Sequence, residues 1–320
     1  MSDLLFETAE NPVPENAQSG MLAMRDGIRL RYACFGATEG PLQGTVVLLP
    51  GRSECIEKYF ETVRDFSAKG LGTATFDLRG QGGSDRMLPD RMRGHVDRFD
   101  RYVSDLEAFF EQIVLPDCRP PYYLVAHSTG ALIALLAAPE LANRIQRMVL
   151  VAPLLAFVNL PVSVRTLRWL SSLLFHVGLG STAMGRVPAK EASSFEANRL
   201  TSDPARYKRN QQIFAEHPEL ALGRPTAAWV HGAFRAQEKV WDQDFISAIR
   251  VPTLFIAAGS DRVVSTPAIE SYARRMRAGS VLTVDGARHE LLQEADFYRE
   301  QVLAAFHAFV PGTDQLIGTA

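Results

Sequence analysis

Residues 123–135 read Tyr-Leu-Val-Ala-His-Ser-Thr-Gly-Ala-Leu-Ile-Ala-Leu: a short apolar run, a tight turn of small residues, then a helix-like apolar run. Few arrangements satisfy that order, and the simplest is a buried strand turning sharply into a helix. Ser128 then stands at the corner with its oxygen clear of the backbone. The amide of Thr129 and the helix N-terminus face any negative charge that forms beside it. The usual pentad at such a corner is G-x-S-x-G, and here Ala126 takes the first place. A small residue still lets strand and helix approach closely. The pentad alone also permits a plainer role, in which Ser128 merely caps the helix.

The rest of the chain supplies matching units. Ile28–Phe35 reads as a strand, and the uninterrupted apolar run Thr45–Leu49 as a central strand buried on both faces. That run ends in Pro50-Gly51-Arg52-Ser53-Glu54, a corner whose free amides can bind an anion, and a helical pattern follows. Leu71–Phe76 is a further strand, closed by the glycine-rich Asp77–Asp85. That loop has no lysine and no phosphate-binding glycine spacing, so it reads as structural, with Asp77 and Arg79 bracing the turn. Phe99–Val114 patterns as an amphipathic helix and Arg147–Val151 as a strand. This βα alternation predicts an α/β fold, a mostly parallel central sheet with helices on both faces.

From Pro153 to Asp244 the alternation stops. Helical stretches at Val162–Val177, Asp203–Glu216 and Pro225–Trp241 fill a segment too long for a loop, which predicts an inserted helical cap (153–244) over a core formed by 21–152 and 245–312. Residues 1–20 and 313–320 read as flexible ends. The apolar first half of the cap can line a tunnel over the site, or simply glue cap to core. Two uncharged stretches, Met148–Val164 and Trp169–Gly185, are too short and too interrupted to span a bilayer, though an apolar lid can rest on a membrane surface. A formal net charge of -2 and the absence of a basic tail argue against nucleic acid as a partner. The N-terminus lacks a secretory pattern, which predicts a cytoplasmic protein, peripheral at most to the inner face of the membrane. Cys34, Cys55 and Cys118 are too few and scattered for a disulfide framework or zinc site, and no metal or cofactor is expected.

A serine hydroxyl needs a base to take its proton and a carboxylate to orient that base. Of the seven histidines, His289 lies in a late loop between the last strand and the final helix, and Asp261 follows the strand Val251–Ala258. Both fall where chemistry gathers in parallel sheets, beyond the strands' carboxyl ends, and the order Ser128, Asp261, His289 suits such an architecture. Asp285 also ends a strand, but four residues before His289 it is better placed to shape that turn. His127 adjoins the nucleophile, yet the turn that exposes Ser128 aims it elsewhere. The amides of Thr129 and Arg52 are the candidate oxyanion donors.

These motifs together resemble the α/β-hydrolase superfamily, and within it the lysophospholipase and monoacylglycerol lipase-like group with a serine aminopeptidase-like hydrolase domain. Pro50-Gly51-Arg52-Ser53-Glu54 with Lys58-Tyr59 is similar to that group's H-G-x-x-E…R-Y segment, and Asp77–Ser84 to its D-x-R-G-x-G-x-S loop. Asn198–Pro204 and Leu222–Thr226 resemble its cap. The likeness runs from Met21 to Val310, with Pro50 and Ala126 replacing a usual His and Gly. It implies a serine hydrolase of single-chain lipid esters, closest to the bacterial lysophospholipase branch. Monoacylglycerol lipase, a general carboxylesterase and a catalytically silent binding module on the same fold are the alternatives. Glu54, Arg165 and Arg168 are candidate substrate-binding residues, the arginines because a guanidinium can hold a phosphate bidentately.

Overall fold

The structure, a computed structural model, describes residues 4–185 and 194–310. Eight strands form one sheet: β1 (Ala17–Ala23), β2 (Arg29–Phe35), β3 (Gly44–Leu49), β4 (Leu71–Phe76), β5 (Tyr122–His127), β6 (Arg147–Val151), β7 (Thr253–Ala258) and β8 (Gly279–Val284). Their spatial order is β1-β2-β4-β3-β5-β6-β7-β8. β2 pairs antiparallel with both β1 and β4, and the remaining pairs are parallel. Every residue of β3, β4, β5 and β7 is buried, as expected for strands covered on both faces.

The helices follow the sequence patterns closely. They are α1 (Phe60–Ser67), α2 (Asp100–Phe109), the one-turn α3 (Leu115–Asp117), α4 (Thr129–Leu141), α5 (Val164–His176), α6 (Pro204–Glu216), α7 (Ala227–Val240), α8 (Gln243–Ala248), α9 (Thr266–Arg275) and α10 (Asp296–Phe309). The expected helix Phe99–Val114 is α2 continued by a π-helical turn over Phe110–Val114. Asp203 and Thr226, read as first helical residues or neighbours, are N-caps whose side chains accept from the amides of Arg206 and Trp229.

The stretch 1–20 is not loose over its described part. Ala17 begins β1, and Phe6 packs under the Arg31 guanidinium, which also donates to the Leu4 carbonyl at 2.9 Å. Arg31 is itself held by Glu57 and Asp77. The C-terminal stretch 313–320 lies outside the described residues.

Helices α5–α8 occupy the chain between β6 and β7, and α8 crosses the expected boundary at Asp244. The first residues of this insertion are sewn to the loop after β7. Phe157 and Val264 form an antiparallel bridge, the Val158 amide donates to the Val263 carbonyl at 3.2 Å, and the Ser265 amide donates to Ala156 at 3.0 Å. From α7, Gln237 and Trp241 donate to the carbonyls of Leu154 and Leu155.

Candidate active site

Three corners, after β3, β5 and β8, converge with the loop after β7. At the β5–α4 corner Ser128 has φ +51° and ψ -111°, a conformation that L residues avoid and that surrounding contacts must impose. Its amide donates to the Val151 carbonyl at 3.0 Å, and its carbonyl accepts from Leu132 and Leu154. Gly130 lets α4 close on the neighbouring corner: a Cβ there would lie 2.5 Å from the Pro50 carbonyl oxygen.

His289 spans the other two predicted residues. Its Nε2 lies 3.0 Å from Ser128 Oγ and its Nδ1 2.7 Å from Asp261 Oδ2. The other Asp261 oxygen accepts from the amides of Val263 (2.7 Å) and Val264 (3.0 Å), which fixes the carboxylate's orientation. Burial pushes the Asp261 pKa up, but the bond to His289, its charge and the two amides outweigh it, and the net shift is downward. Asp285, the rejected alternative, is exposed.

A cavity of about 290 Å³ opens over this group, lined in part by Arg52, Ser128, Thr129, Leu154, Phe157 and Trp229. Thr129 is the first residue of α4, so its amide has no acceptor one turn earlier. Arg52 lines the same space from the β3 corner. The glycine-rich loop props that corner: Gln81 Nε2 donates to the carbonyls of Gly51 at 2.7 Å and Glu54 at 3.2 Å.

The other candidates separate. Glu54 borders the cavity, but its carboxylate is engaged internally, accepting from the Gly51 amide, from Lys58 Nζ at 3.0 Å and from the Tyr59 hydroxyl at 2.6 Å. Arg165 and Arg168 do not line the cavity. Both are exposed on α5, and Arg168 is paired with Glu238.

Sequence reasoning favours a packed or hydrogen-bonded role for His127 without naming its partners, and the structure supplies them. His127 is buried, with Nδ1 3.0 Å from Glu54 Oε1 and Nε2 3.2 Å from the His289 carbonyl oxygen. One imidazole thus ties the β3 corner to the loop of His289. Both ring nitrogens face oxygen acceptors, an arrangement that favours the protonated ring. Burial draws its pKa down, but the charge and hydrogen bond of Glu54, with Glu290 adding, raise it above the ordinary 6.5. Its position beside the nucleophile was the available signal. Lys58 completes the cluster, reaching Glu290 Oε1 at 2.5 Å. Among the described residues no group of His, Cys, Asp and Glu side chains could hold a metal ion, and no helix is long and apolar enough to cross a membrane.

Known proteins agree with this architecture. Residues 40–296 match the family described as serine aminopeptidase, S33. Lysophospholipase L2 of Escherichia coli (strain K12) is 33% identical over 296 residues, covering 89% of this chain and 84% of that protein. A probable lysophospholipase L2 of Haemophilus influenzae is 28% identical over 93% of this chain and 94% of its own length. Among solved structures, a soluble variant of the Saccharomyces cerevisiae monoglyceride lipase in complex with a substrate analog superposes with a TM-score of 0.75 at 19% identity, covering 96% of this chain and 98% of that one. With an eight-stranded sheet, a strained serine corner and these relatives in hand, the chain belongs to the serine aminopeptidase, S33, family of α/β-hydrolases.

Proposed function

We propose that this protein hydrolyses carboxylic esters of single-chain lipids, lysophospholipids foremost, with Ser128 as nucleophile, His289 as base and Asp261 as its orienting carboxylate. The observation that carries the reading is the continuous hydrogen-bonded line from Asp261 through His289 to Ser128 at a strained corner. The apolar side chains of Leu154, Phe157 and Trp229 give an acyl chain a dry wall beside it.

In the first half-reaction His289 Nε2 takes the Ser128 proton as Oγ attacks the ester carbonyl carbon. The oxyanion formed is met by the amides of Thr129 and Arg52. Collapse breaks the bond to the glycerol oxygen, which leaves with the proton from His289. Water then gives a proton to His289 and attacks the acyl-serine, and a second collapse returns Ser128 and releases the fatty acid. Asp261, ionised by its surroundings, stabilises the imidazolium in both halves. In this reading helices α5–α8 form the lid over the cavity.

The test compares hydrolysis of lysophosphatidylcholine, lysophosphatidylethanolamine and monoacylglycerol by wild type and Ser128→Ala, alongside fluorophosphonate labelling. We expect labelling at Ser128, preference for the lysophospholipids, and loss of both labelling and hydrolysis in the variant. Preference for the neutral glyceride replaces the lysophospholipid reading with the monoacylglycerol lipase one. An active Ser128→Ala removes the mechanism, and a folded wild type that does not label is a silent binding module.

A further inference from the structure

Among the described residues, one cation of the cavity wall has no carboxylate in contact with it. Arg52 is half-buried, with its guanidinium carbon 5.3 Å from the Trp229 ring centroid. Nη1 donates to Ser53 Oγ at 3.1 Å and Nη2 to the Gly223 carbonyl, while Nε is buried without an acceptor. The backbone presses close on the other side: a Cβ on Gly94 would lie 2.7 Å from Nη2. Elsewhere in the protein, Arg31, Arg79, Arg206 and Arg299 each meet at least one carboxylate. Arg86 also lacks one, but it holds the carbonyls of Glu219 and Ala221 away from the cavity. Burial pulls the Arg52 pKa down to about 10, with Tyr102 opposing slightly, so the group stays charged at neutral pH.

The acidic groups nearby are engaged by partners other than Arg52. Lys58 contacts both Glu54 and Glu290, and His127 contacts Glu54 as well. Asp261 is held by His289 and by the amides of Val263 and Val264. Arg52 therefore lines the cavity, beside Ser128 and the apolar Leu154, Phe157 and Trp229, with no carboxylate in contact with its guanidinium among the described residues. Stripping water from a cation without a counter-ion is costly, and the cost is recovered when a ligand brings the anion.

We infer that the Arg52 guanidinium recognises the phosphodiester of a single-chain phospholipid, and so sets the preference for phosphate-bearing esters over neutral glycerides. The inference rests on the hydrolase reading above, which places the ester at Ser128. In a lysophospholipid the phosphate follows the ester oxygen by three carbons, so one bound molecule can meet both ends of the cavity. A single residue then has two uses, its amide toward the reacting carbonyl and its side chain toward the headgroup. Arginine suits the second, because its planar fork presents paired donors to a phosphate.

The experiment measures kcat/KM on lysophosphatidylcholine and on monoacylglycerol of the same acyl chain, for wild type, Arg52→Gln and Arg52→Lys. Both substrates release the same fatty acid, so their ratio reports the headgroup and not the carboxylate product. We expect the ratio to fall about tenfold or more in Arg52→Gln, the loss of a charge-assisted hydrogen bond, and by a smaller factor in Arg52→Lys. In parallel, sn-glycero-3-phosphocholine should inhibit p-nitrophenyl butyrate hydrolysis by wild type about tenfold more tightly than by Arg52→Gln. Ratios and inhibition constants within about twofold of wild type in both variants overturn the inference. If Arg52→Gln does not fold, Arg52→Lys decides alone. A wild type that cleaves p-nitrophenyl butyrate but not lysophosphatidylcholine removes the lysophospholipase reading, and the inhibition arm then decides the fate of Arg52.

Discussion

Replacing Glu54 with glutamine tests whether the buried cluster beneath the site is as tightly coupled as its geometry states. The carboxylate accepts from four donors: the Gly51 amide, Lys58, the Tyr59 hydroxyl and His127. Glutamine has nearly the same shape but only one accepting oxygen, and its amide group would turn donors toward donors. His127 would lose its only carboxylate partner, whereas Lys58 keeps Glu290. Removing one partner from a buried, hydrogen-bonded ion pair costs about 3–5 kcal/mol. Against the 5–15 kcal/mol typical of folded proteins, that is roughly a fifth of the margin or more. Urea unfolding at neutral pH, followed by tryptophan fluorescence, measures it. Glu54 has a pKa well below its ordinary 4.5: burial raises it, but Lys58 and His127 lower it further. The stability it contributes is therefore complete above the unfolded value of about 4.5 and is lost progressively as pH falls from there through the depressed folded value. The gap between wild type and Glu54→Gln should begin to narrow below pH 4.5 and close only in stronger acid. A cost under about 1 kcal/mol at neutral pH would refute the coupling.

Other expectations concern the site directly. Asp261→Asn should keep the fold but lower kcat by roughly a thousandfold or more, because the amide stabilises neither the required tautomer nor the imidazolium; an undiminished kcat in steady-state assays removes Asp261 from the triad. Arg165→Ala and Arg168→Ala should leave kcat/KM on lysophosphatidylcholine unchanged and shift unfolding by no more than about 1 kcal/mol, since an exposed pair contributes little. His127→Gln removes a group whose folded pKa is raised, so the stability it supplies is present below pH 6.5 and fades as pH climbs through the folded value. Glu54, Glu290, Lys58, Tyr59 and His289 all face or adjoin that imidazole, and unfolding at a series of pH values should show the wild-type advantage shrinking on the alkaline side.

Much of this arrangement was legible in the amino-acid order, because the βα alternation ties chemistry to position. A residue just after a parallel strand lies on the sheet's functional edge, which brought Ser128, Asp261 and His289 within reach of one another before any distance was known. The Glu54–Lys58–His127–Glu290 cluster was not legible, since Lys58 and Glu290 meet across 232 positions and no local pattern encodes that encounter. β1 escaped notice because Ala17–Ala23 is an edge strand, paired on one side only and half-exposed, so it needs no apolar run. Arginines of the helical insertion were candidates on composition alone, whereas Arg52 was considered only for its backbone. Its side chain gains meaning from Trp229, Gly94 and Gly223, which the chain returns to it from afar.

The seam between the insertion and the loop after β7 determines where the roof of the cavity can hinge. Residues 154–158 are fastened to Val263, Ser265 and α7, and the same loop carries the amides that hold Asp261. A pivot inside that seam would twist the acid away from His289 each time substrate entered. Opening without loss of alignment has to begin beyond Val158, where Asn159 already adopts φ +52° and α5 leans on α7. If the proposed function holds, the mechanical load of admitting a lipid would then fall on α5, while the Asp261 carboxylate stays fastened to the loop after β7.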